Sequence, residues 1–513
     1  MAKKRPNILF IMSDDHCANA ISAYRSSRLN DVFKTPNIDR IANEGVRLDR
    51  CFCANAICTP SRATILTGQH SHVNKVKTLE DPLPTSSETF PRVLQADGYQ
   101  TGLFGKWHLH SEPQGFDDYS ILPGQGLYHD PYFIEKGETW PHIENYADLK
   151  SEGEIHYPQG TRHKGHVTDL ITDRCLDWLE KRDREKPFML LCHHKAPHDS
   201  FEYDARYEHI FDGVEIPEPE NLWEDKSKRA ECTQNYGTSV SERNTRRNAV
   251  KTQSDPDYPT GPLDIEGLNA EERTKAAYQK YLKDYLRTVK GIDDNVGRLL
   301  DYLDSEGLAE DTIVIYTSDQ GMFLGEHDFI DKRWIYEEAL QMPVLARYPR
   351  EIEAGTICND LTSNLDFAQT FLDFAEAPRL EGAQGASIRG NLTKKTPTLD
   401  NEALYYRYWM HMHAHDNPAH YGIRTDRYKL VFFYGLPLDA IGALPIETPA
   451  GWELYDLEKD PNENENVYDD PSYREVQESL TAQLMELKRR YGDEDDDYPE
   501  LMELLKTEDN CSV

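Results

Sequence analysis

Short apolar runs recur along the first two thirds of the chain, and most of them close on a polar cluster. Asn7 to Met12 leads into Ser13-Asp14-Asp15-His16, and Tyr99 to Phe104 into Gly105-Lys106-Trp107-His108. Pro187 to Cys192 leads into His193-His194, with Pro197-His198 just beyond, and Thr312 to Thr317 into Ser318-Asp319-Gln320-Gly321. Pro343 to Tyr348 is a further run. Runs without polar alternation, set between helical stretches, predict an α/β fold: a large, mostly parallel sheet covered by helices on both faces. In such sheets functional groups gather at the carboxyl ends of the strands, which is where these polar clusters fall.

Helical periodicity is readable between the runs. Val167 to Lys181 places Leu170, Ile171, Trp178 and Leu179 near one face. Leu282 to Leu303 repeats apolar residues every three or four positions, and Gly307 suits its stop. From about 203 to 275 the chain is charged, Pro-containing and weakly periodic, which predicts a long surface excursion at a sheet edge or site mouth. Beyond 395 the pattern changes to short Tyr-rich strands and then a helix from about Tyr473 to Tyr491. This predicts a catalytic domain over 1–395 and a C-terminal subdomain over 396–513 with a small antiparallel sheet. The acidic stretch Gly492 to Tyr498 reads as solvated or disordered. No internal repeat is visible.

Charge narrows the partners. Lys and Arg total 57 against 91 Asp and Glu, a formal net charge of −34. So acidic a chain repels nucleic acid and anionic membranes, and an anionic substrate needs a local basic site. The same charge also serves solubility, or life in a salty medium. No apolar run approaches the roughly 20 residues of a membrane span. The apolar stretch Ile8 to Met12 is shorter than the core of a signal peptide. It reads as a strand, so the expectation is a cytoplasmic protein, or a periplasmic or secreted one if an export signal has been removed. The nine cysteines are odd in number and irregularly spaced, which fits neither a disulfide scaffold nor a zinc module.

The sharpest local string is Cys58-Thr59-Pro60-Ser61-Arg62, continuing through Thr64 to Thr67-Gly68. It resembles the signature of the type I sulfatases of the alkaline-phosphatase superfamily, in which the Cys is oxidised to formylglycine. Further segments resemble that family in order: Asn7 to Asp15, Thr35 to Ala42, Thr101 to His108, Ala196-Pro197-His198, and Thr317 to His327 continuing to Asp331-Lys332-Arg333. Tyr428-Lys429-Leu430 and Trp452 to Pro461 extend the likeness into the C-terminal part.

The resemblance implies the site. Asp14, Asp15, Asp319, Gln320 and the oxidised Cys58 would hold one cation. An all-oxygen set suits Ca²⁺, with Mg²⁺ the alternative, and does not suit zinc. Many members carry Asn or His where Gln320 stands. Lys106, Lys332 and Arg62 would concentrate positive charge on the sulfuryl oxygens. One hydroxyl of hydrated formylglycine would attack sulfur while His198 protonates the leaving alcohol. His108 would then take the proton of the second hydroxyl as sulfate leaves. A formylglycine-generating or radical maturation enzyme is the implied partner. Arg407, His411 and His413, at the start of the C-terminal part, are candidate contacts to a sulfated sugar cleaved from a chain end. A phosphodiester or phosphonate hydrolase of the same superfamily, and a non-catalytic sugar-binding pseudoenzyme, are the rival readings.

Overall fold

The computed structural model describes residues 5–24, 27–138, 140, 160–395, 397–399 and 401–511. Its frame is a ten-stranded sheet. Five central strands are parallel: Thr312–Ser318, Asn7–Ser13, Phe188–His193, Gln100–Lys106 and Asp118–Leu122, in that spatial order. Antiparallel partners, Val344–Arg347 on one side and Tyr132–Glu135 on the other, widen the sheet.

The apolar runs are continuous because both faces are covered. In the first strand Ile8, Phe10 and Met12 join one core, with Phe90, Phe367 and Phe371, while Leu9 and Ile11 join the other. The second core is closed by Ile171, Trp178 and Leu179 of the helix Val167–Lys181 and by Ile292, Val296, Leu299 and Leu303 of the helix Ala270–Ser305. That last helix has 36 residues and begins twelve positions before the periodicity predicted. It opens on a capping box in which the Asn269 side chain takes the Glu272 N–H and the Glu272 carboxylate takes the Asn269 N–H. No helix among the described residues is long and apolar enough to cross a membrane.

The excursion from 203 onward is more than surface. Phe211, Ile216, Leu222, Val240 and Val250 form a third core with Tyr278, Tyr281 and Tyr285 of the long helix. The weak periodicity has a physical reason: these side chains anchor irregular backbone, one or two at a time.

The C-terminal part contains the expected four-stranded antiparallel sheet, in the order Ala403–Tyr408, His420–Thr425, Tyr428–Phe433, Gly451–Asp456. One face packs on the helix Arg474–Tyr491 through Leu480 and Leu484. The other, through Tyr406, Tyr408, Val431 and Phe433, runs into the main core. The acidic stretch after this helix corrects the expectation of a solvated tail. Asp493 and Asp495 are buried, pairing with Arg407 and with Lys488 at 2.9 Å, and a helix Pro499–Cys511 follows. Arg407, proposed from sequence as a substrate contact, is 2 % exposed and stacked 3.5 Å above the Trp409 ring.

Burial raises the Asp493 carboxyl, but Arg407 and Lys488 overcome it and hold the group well below the usual carboxylate range. A depressed folded value means stability that is complete above the unfolded value of about 4 and lost as pH falls below it. Arg407→Ala leaves that carboxylate buried alone. It should cost about 3–5 kcal/mol, read as a lower denaturant midpoint at pH 7 and a smaller deficit near pH 3. Retained stability at pH 7 would show the pair to be dispensable.

Candidate active site

Parallel strands bring the polar clusters together. In register, Ser13 lies beside Ser318, so Asp14 and Asp15 leave the sheet next to Asp319 and Gln320. The Asp319 N–H bonds the Ser13 carbonyl at 3.3 Å, and the Asp15 N–H bonds Asp319 Oδ1 at 3.1 Å. Asp15 turns sharply with φ 65°. Lys106 ends the strand Gln100–Lys106, two places from Asn7–Ser13 in the sheet, and Gly105 just before it has φ 107°. A Cβ there would fall 2.0 Å from the His193 carbonyl oxygen, so only glycine lets the strands close beneath the site.

Cys58 opens the wholly buried helix Cys58–Thr67, where the unpaired N–H groups give positive potential. This helix is fastened to the carboxylates by its own side chains. The Ser61 hydroxyl donates to the Asp319 carbonyl. Arg62 donates to Asp319 Oδ2 at 2.9 Å and to the Lys106 carbonyl at 3.0 Å, and lies 3.6 Å from Asp14 Oδ1. Lys106 donates to Asp14, and to Gln125 Oε1 at 2.5 Å. Lys332 donates to Asp15 Oδ2 at 2.5 Å. His198 stands at the rim, with Nδ1 2.6 Å from Asp199 Oδ1 and Nε2 3.8 Å from Asp15 Oδ2. His108, buried with φ 54°, places Nδ1 3.5 Å from the Thr59 hydroxyl.

Among the described residues, two groups have ligand atoms within 4.8 Å of one another: Asp14, Asp15 and Asp319, and Asp14, Cys58 and His198. Burial and the neighbouring Asp14 push the Asp319 carboxyl up. Asp14 itself stays low, because Lys106, His198 and Arg62 outweigh its burial. The pair therefore retains a proton until a further positive charge arrives. Asp14 Oδ1 and Gln320 Oε1 are buried without a hydrogen-bond partner. Orphaned oxygens among three carboxylates fit a hard cation. The Cys58 thiol is pushed up by burial and by Asp14, so it stays protonated and is a poor nucleophile as cysteine. Burial and Lys106 hold His108 well below the ordinary histidine range, hence neutral.

The structure gathers Asp14, Asp15, Cys58, Arg62, Lys106, Asp319, Gln320 and Lys332 into this cluster, with His108 and His198 beside it. It does not bring Arg407 there. His411 is also buried elsewhere, its ring nitrogens engaged by the Ala419 N–H at 3.0 Å and the Ile446 carbonyl at 2.5 Å. His413 lies near Gly442, in the loop beyond. Sequence reasoning singled out neither Gln125 nor Asp199, quoted Asp331 only within the resembling segment, and counted His415 only among the histidines that open the C-terminal part. Asp331 and His415 (Nδ1 to Oδ2 3.4 Å) line a small cavity with Asp199, next in the chain to Lys332 and His198. A lone Gln, or an Asp beside a His, carries no sequence signal. His415 was visible only as one of several histidines.

Oxygen ligands, clustered cations and a nucleophile position at a helix N-terminus, gathered at the carboxyl ends of a parallel sheet, define a hydrolase of anionic esters. A family model described as Sulfatase matches residues 6–377, and one described as N-sulphoglucosamine sulphohydrolase, C-terminal, matches 325–490. The chain is 39% identical to an N-acetylglucosamine-6-O-sulfatase of Bacteroides thetaiotaomicron, over 97% of this chain and 88% of that one. An arylsulfatase of Clostridium perfringens is 25% identical, over 92% of each. Among solved structures, one in complex with its substrate D-glucosamine-2-N,6-O-disulfate is 38% identical, with TM-score 0.82, covering 97% of this chain and all of that one. A phosphonate monoester hydrolase of Agrobacterium radiobacter, at 21% identity and TM-score 0.69 over 95% and 96%, shares the fold. The chain belongs to the formylglycine-dependent (type I) sulfatases of the alkaline-phosphatase superfamily, and it is a sulfuric ester hydrolase.

Because Asp14 and Asp319 retain a proton between them, loading metal-free protein with a divalent cation near pH 7 should release about one proton. Calorimetry in two buffers of different ionisation enthalpy measures it, and Asp319→Ala should abolish both the release and tight binding. Identical heats in both buffers would contradict the shared proton.

Proposed function

We propose that this sulfatase releases sulfate from a 6-O-sulfated glucosamine at the end of an oligosaccharide, with Cys58 converted to formylglycine and Ca²⁺ as cofactor. The observation that carries the reading is the position of Cys58: its sulfur lies in one 4.8 Å group with Asp14 and His198, at the N-terminus of a helix tied to Asp319. A protonated thiol there does no chemistry, whereas hydrated formylglycine supplies a hydroxyl nucleophile. Asp14, Asp15, Asp319 and Gln320 would hold the cation, which when bound polarises a sulfuryl oxygen.

The chain's own groups do the rest. Lys106 and Lys332 approach the carboxylates from two sides, so their ammonium groups flank a bound sulfate ester and offset its negative charge. Arg62 bridges Asp319 and the Lys106 carbonyl, fixing the helix of Cys58 against the strand ends. Asp199 engages Nδ1 of His198, which leaves Nε2 facing the site to pass its proton to the leaving sugar oxygen. Neutral His108, at the Thr59 side of Cys58, is the proton acceptor for the second half of the reaction.

A sugar leaving group is favoured by the cavity of about 80 Å³ beyond His198 and Lys332. Polar Asp199, Asp331 and His415 share its wall with Phe201 and Met322, a mixture suited to a hydroxylated ring. The names of the similar proteins, N-acetylglucosamine-6-O-sulfatase foremost, support the 6-O position of glucosamine.

The test is intact-protein mass spectrometry for the thiol-to-aldehyde change, together with turnover of N-acetylglucosamine 6-sulfate, an aryl sulfate and a phosphonate monoester. Cys58→Ala should fold and lose at least about a thousand-fold in kcat, since covalent catalysis is removed. Equal turnover of the phosphonate would move the assignment to that activity. His198→Ala should slow the sugar sulfate about 100-fold or more and the aryl sulfate far less, because an aryl oxide departs without a proton. Equal losses on both would leave His198 a positioning role only.

A further inference from the structure

Part of the wall of the same cavity is built by the segment after residue 235, which includes the short helix Ala249–Gln253. This segment is docked through Asp328, four residues before Lys332. The Val240 N–H bonds the Asp328 carbonyl at 2.9 Å, the Ser241 N–H bonds Oδ1 at 2.7 Å, and Arg243 bonds Oδ2 at 3.0 Å. It presents Arg247, Gln253 and Tyr258 to the cavity.

Two of these groups are unmatched. Gln253 is 3 % exposed, and its Oε1 is buried without a partner while lining the cavity. Arg247 is exposed and has no ion-pair or hydrogen-bond partner for its guanidinium among the described residues. Its neighbours are committed: Arg243 to Asp328, Arg246 to Asp416 at 3.2 Å, and Arg273 to Glu242 at 2.6 Å. In a chain with 91 acidic and 57 basic residues, an unpaired guanidinium at the mouth of a cavity is poorly explained by surface solubility. The acidic groups of the cavity do not claim it. Asp331 is held by Arg333 at 2.9 Å and Lys332 at 3.4 Å, and Asp199 by His198 at 2.6 Å.

We propose that Arg247 and Gln253 form a second recognition subsite, which takes a non-reacting anionic substituent on the same sugar as the scissile sulfate. Arg247 pairs with the anion, and Gln253 Oε1 accepts a hydroxyl or N–H beside it. Two residues of the cavity wall touch the sulfate cluster, Asp199 at 2.6 Å from His198 and Asp331 at 3.4 Å from Lys332, so a sugar whose sulfate sits in the cluster lies against this cavity. The subsite deepens the sugar reading given above and rests on it. A guanidinium at a partly enclosed mouth discriminates charge by a charge-assisted contact, and its contribution is screened by salt.

The test compares kcat/KM for N-acetylglucosamine 6-sulfate, glucosamine 2-N,6-O-disulfate and glucosamine 3-O,6-O-disulfate. Wild type, Arg247→Gln, Arg247→Lys and Gln253→Ala are assayed at low and high salt. Wild type should prefer at least one disulfated sugar by about five- to ten-fold at low salt, and the preferred arm identifies where the second anion sits. Arg247→Gln should abolish that preference while changing the monosulfated rate less than two-fold, and Arg247→Lys should restore part of it. Gln253→Ala should weaken the preferred substrate more than the others. Equal rates on all three sugars, or a uniform loss in Arg247→Gln, would overturn the subsite and leave the sugar reading intact. If no sugar is turned over but an aryl sulfate is, the reading of the leaving group fails instead. In that case, competitive inhibition of aryl sulfate turnover by glucosamine 2-N-sulfate decides the subsite. Inhibition weakened by Arg247→Gln supports it, and inhibition the variant leaves unchanged overturns it.

Discussion

Everything at this site follows from placing three carboxylates side by side where water cannot reach them. Asp14, Asp15 and Asp319 are each 0 % exposed, and their mutual repulsion must be met by positive charge. The parallel register brings them together, because two strands that leave the sheet at the same level put their first loop residues in contact. Arg62, Lys106 and Lys332 come from three other parts of the chain to answer the charge. The same cations then face whatever anion enters. The requirement that stabilises the fold and the one that binds sulfate are thus met by one set of groups.

Much of this was legible in sequence because it is written in local pattern. The apolar runs mark strands buried on both faces, and the clusters that end them mark the site. The Cys58 string adds a helix whose side chains are all enclosed. What stayed hidden is polar burial. Asp493 and Asp495, in a run of acids, look solvated until Arg407 and Lys488 arrive from elsewhere in the chain. Arg407 looked like a substrate contact for the converse reason: its partner lies 86 residues away. A charged residue buried by pairing and one solvated at the surface have the same composition, and only the fold separates them.

The same principle joins the excursion to the small sheet. Arg229 is buried against Glu224 at 2.6 Å, hydrogen-bonds Tyr455 of the small sheet at 3.0 Å, and reaches His327 at 2.7 Å. Glu453, also of that sheet, takes the Tyr336 hydroxyl at 2.7 Å. His327 precedes Lys332 in a loop of left-handed residues that includes Asp328, Asp331 and Arg333. Such backbone is costly unless its surroundings determine it, and the buried network supplies that determination. The small sheet therefore acts on the chemistry at one remove, by holding the loop that delivers Lys332.

This arrangement reconciles an acidic protein with an anionic substrate. At physiological ionic strength the field of exposed carboxylates is screened over roughly 8 Å, so it does little inside an enclosed site. There the local balance decides. Lys106 and Lys332 are almost wholly withdrawn from solvent, as is Arg62, and their charge is expressed in a medium that weakens it less than water does. The global charge governs which large molecules approach, and the buried cations govern what is bound. A long polyanion meets the first before it reaches the second, whereas a small sulfate ester that reaches the enclosed site meets only the second.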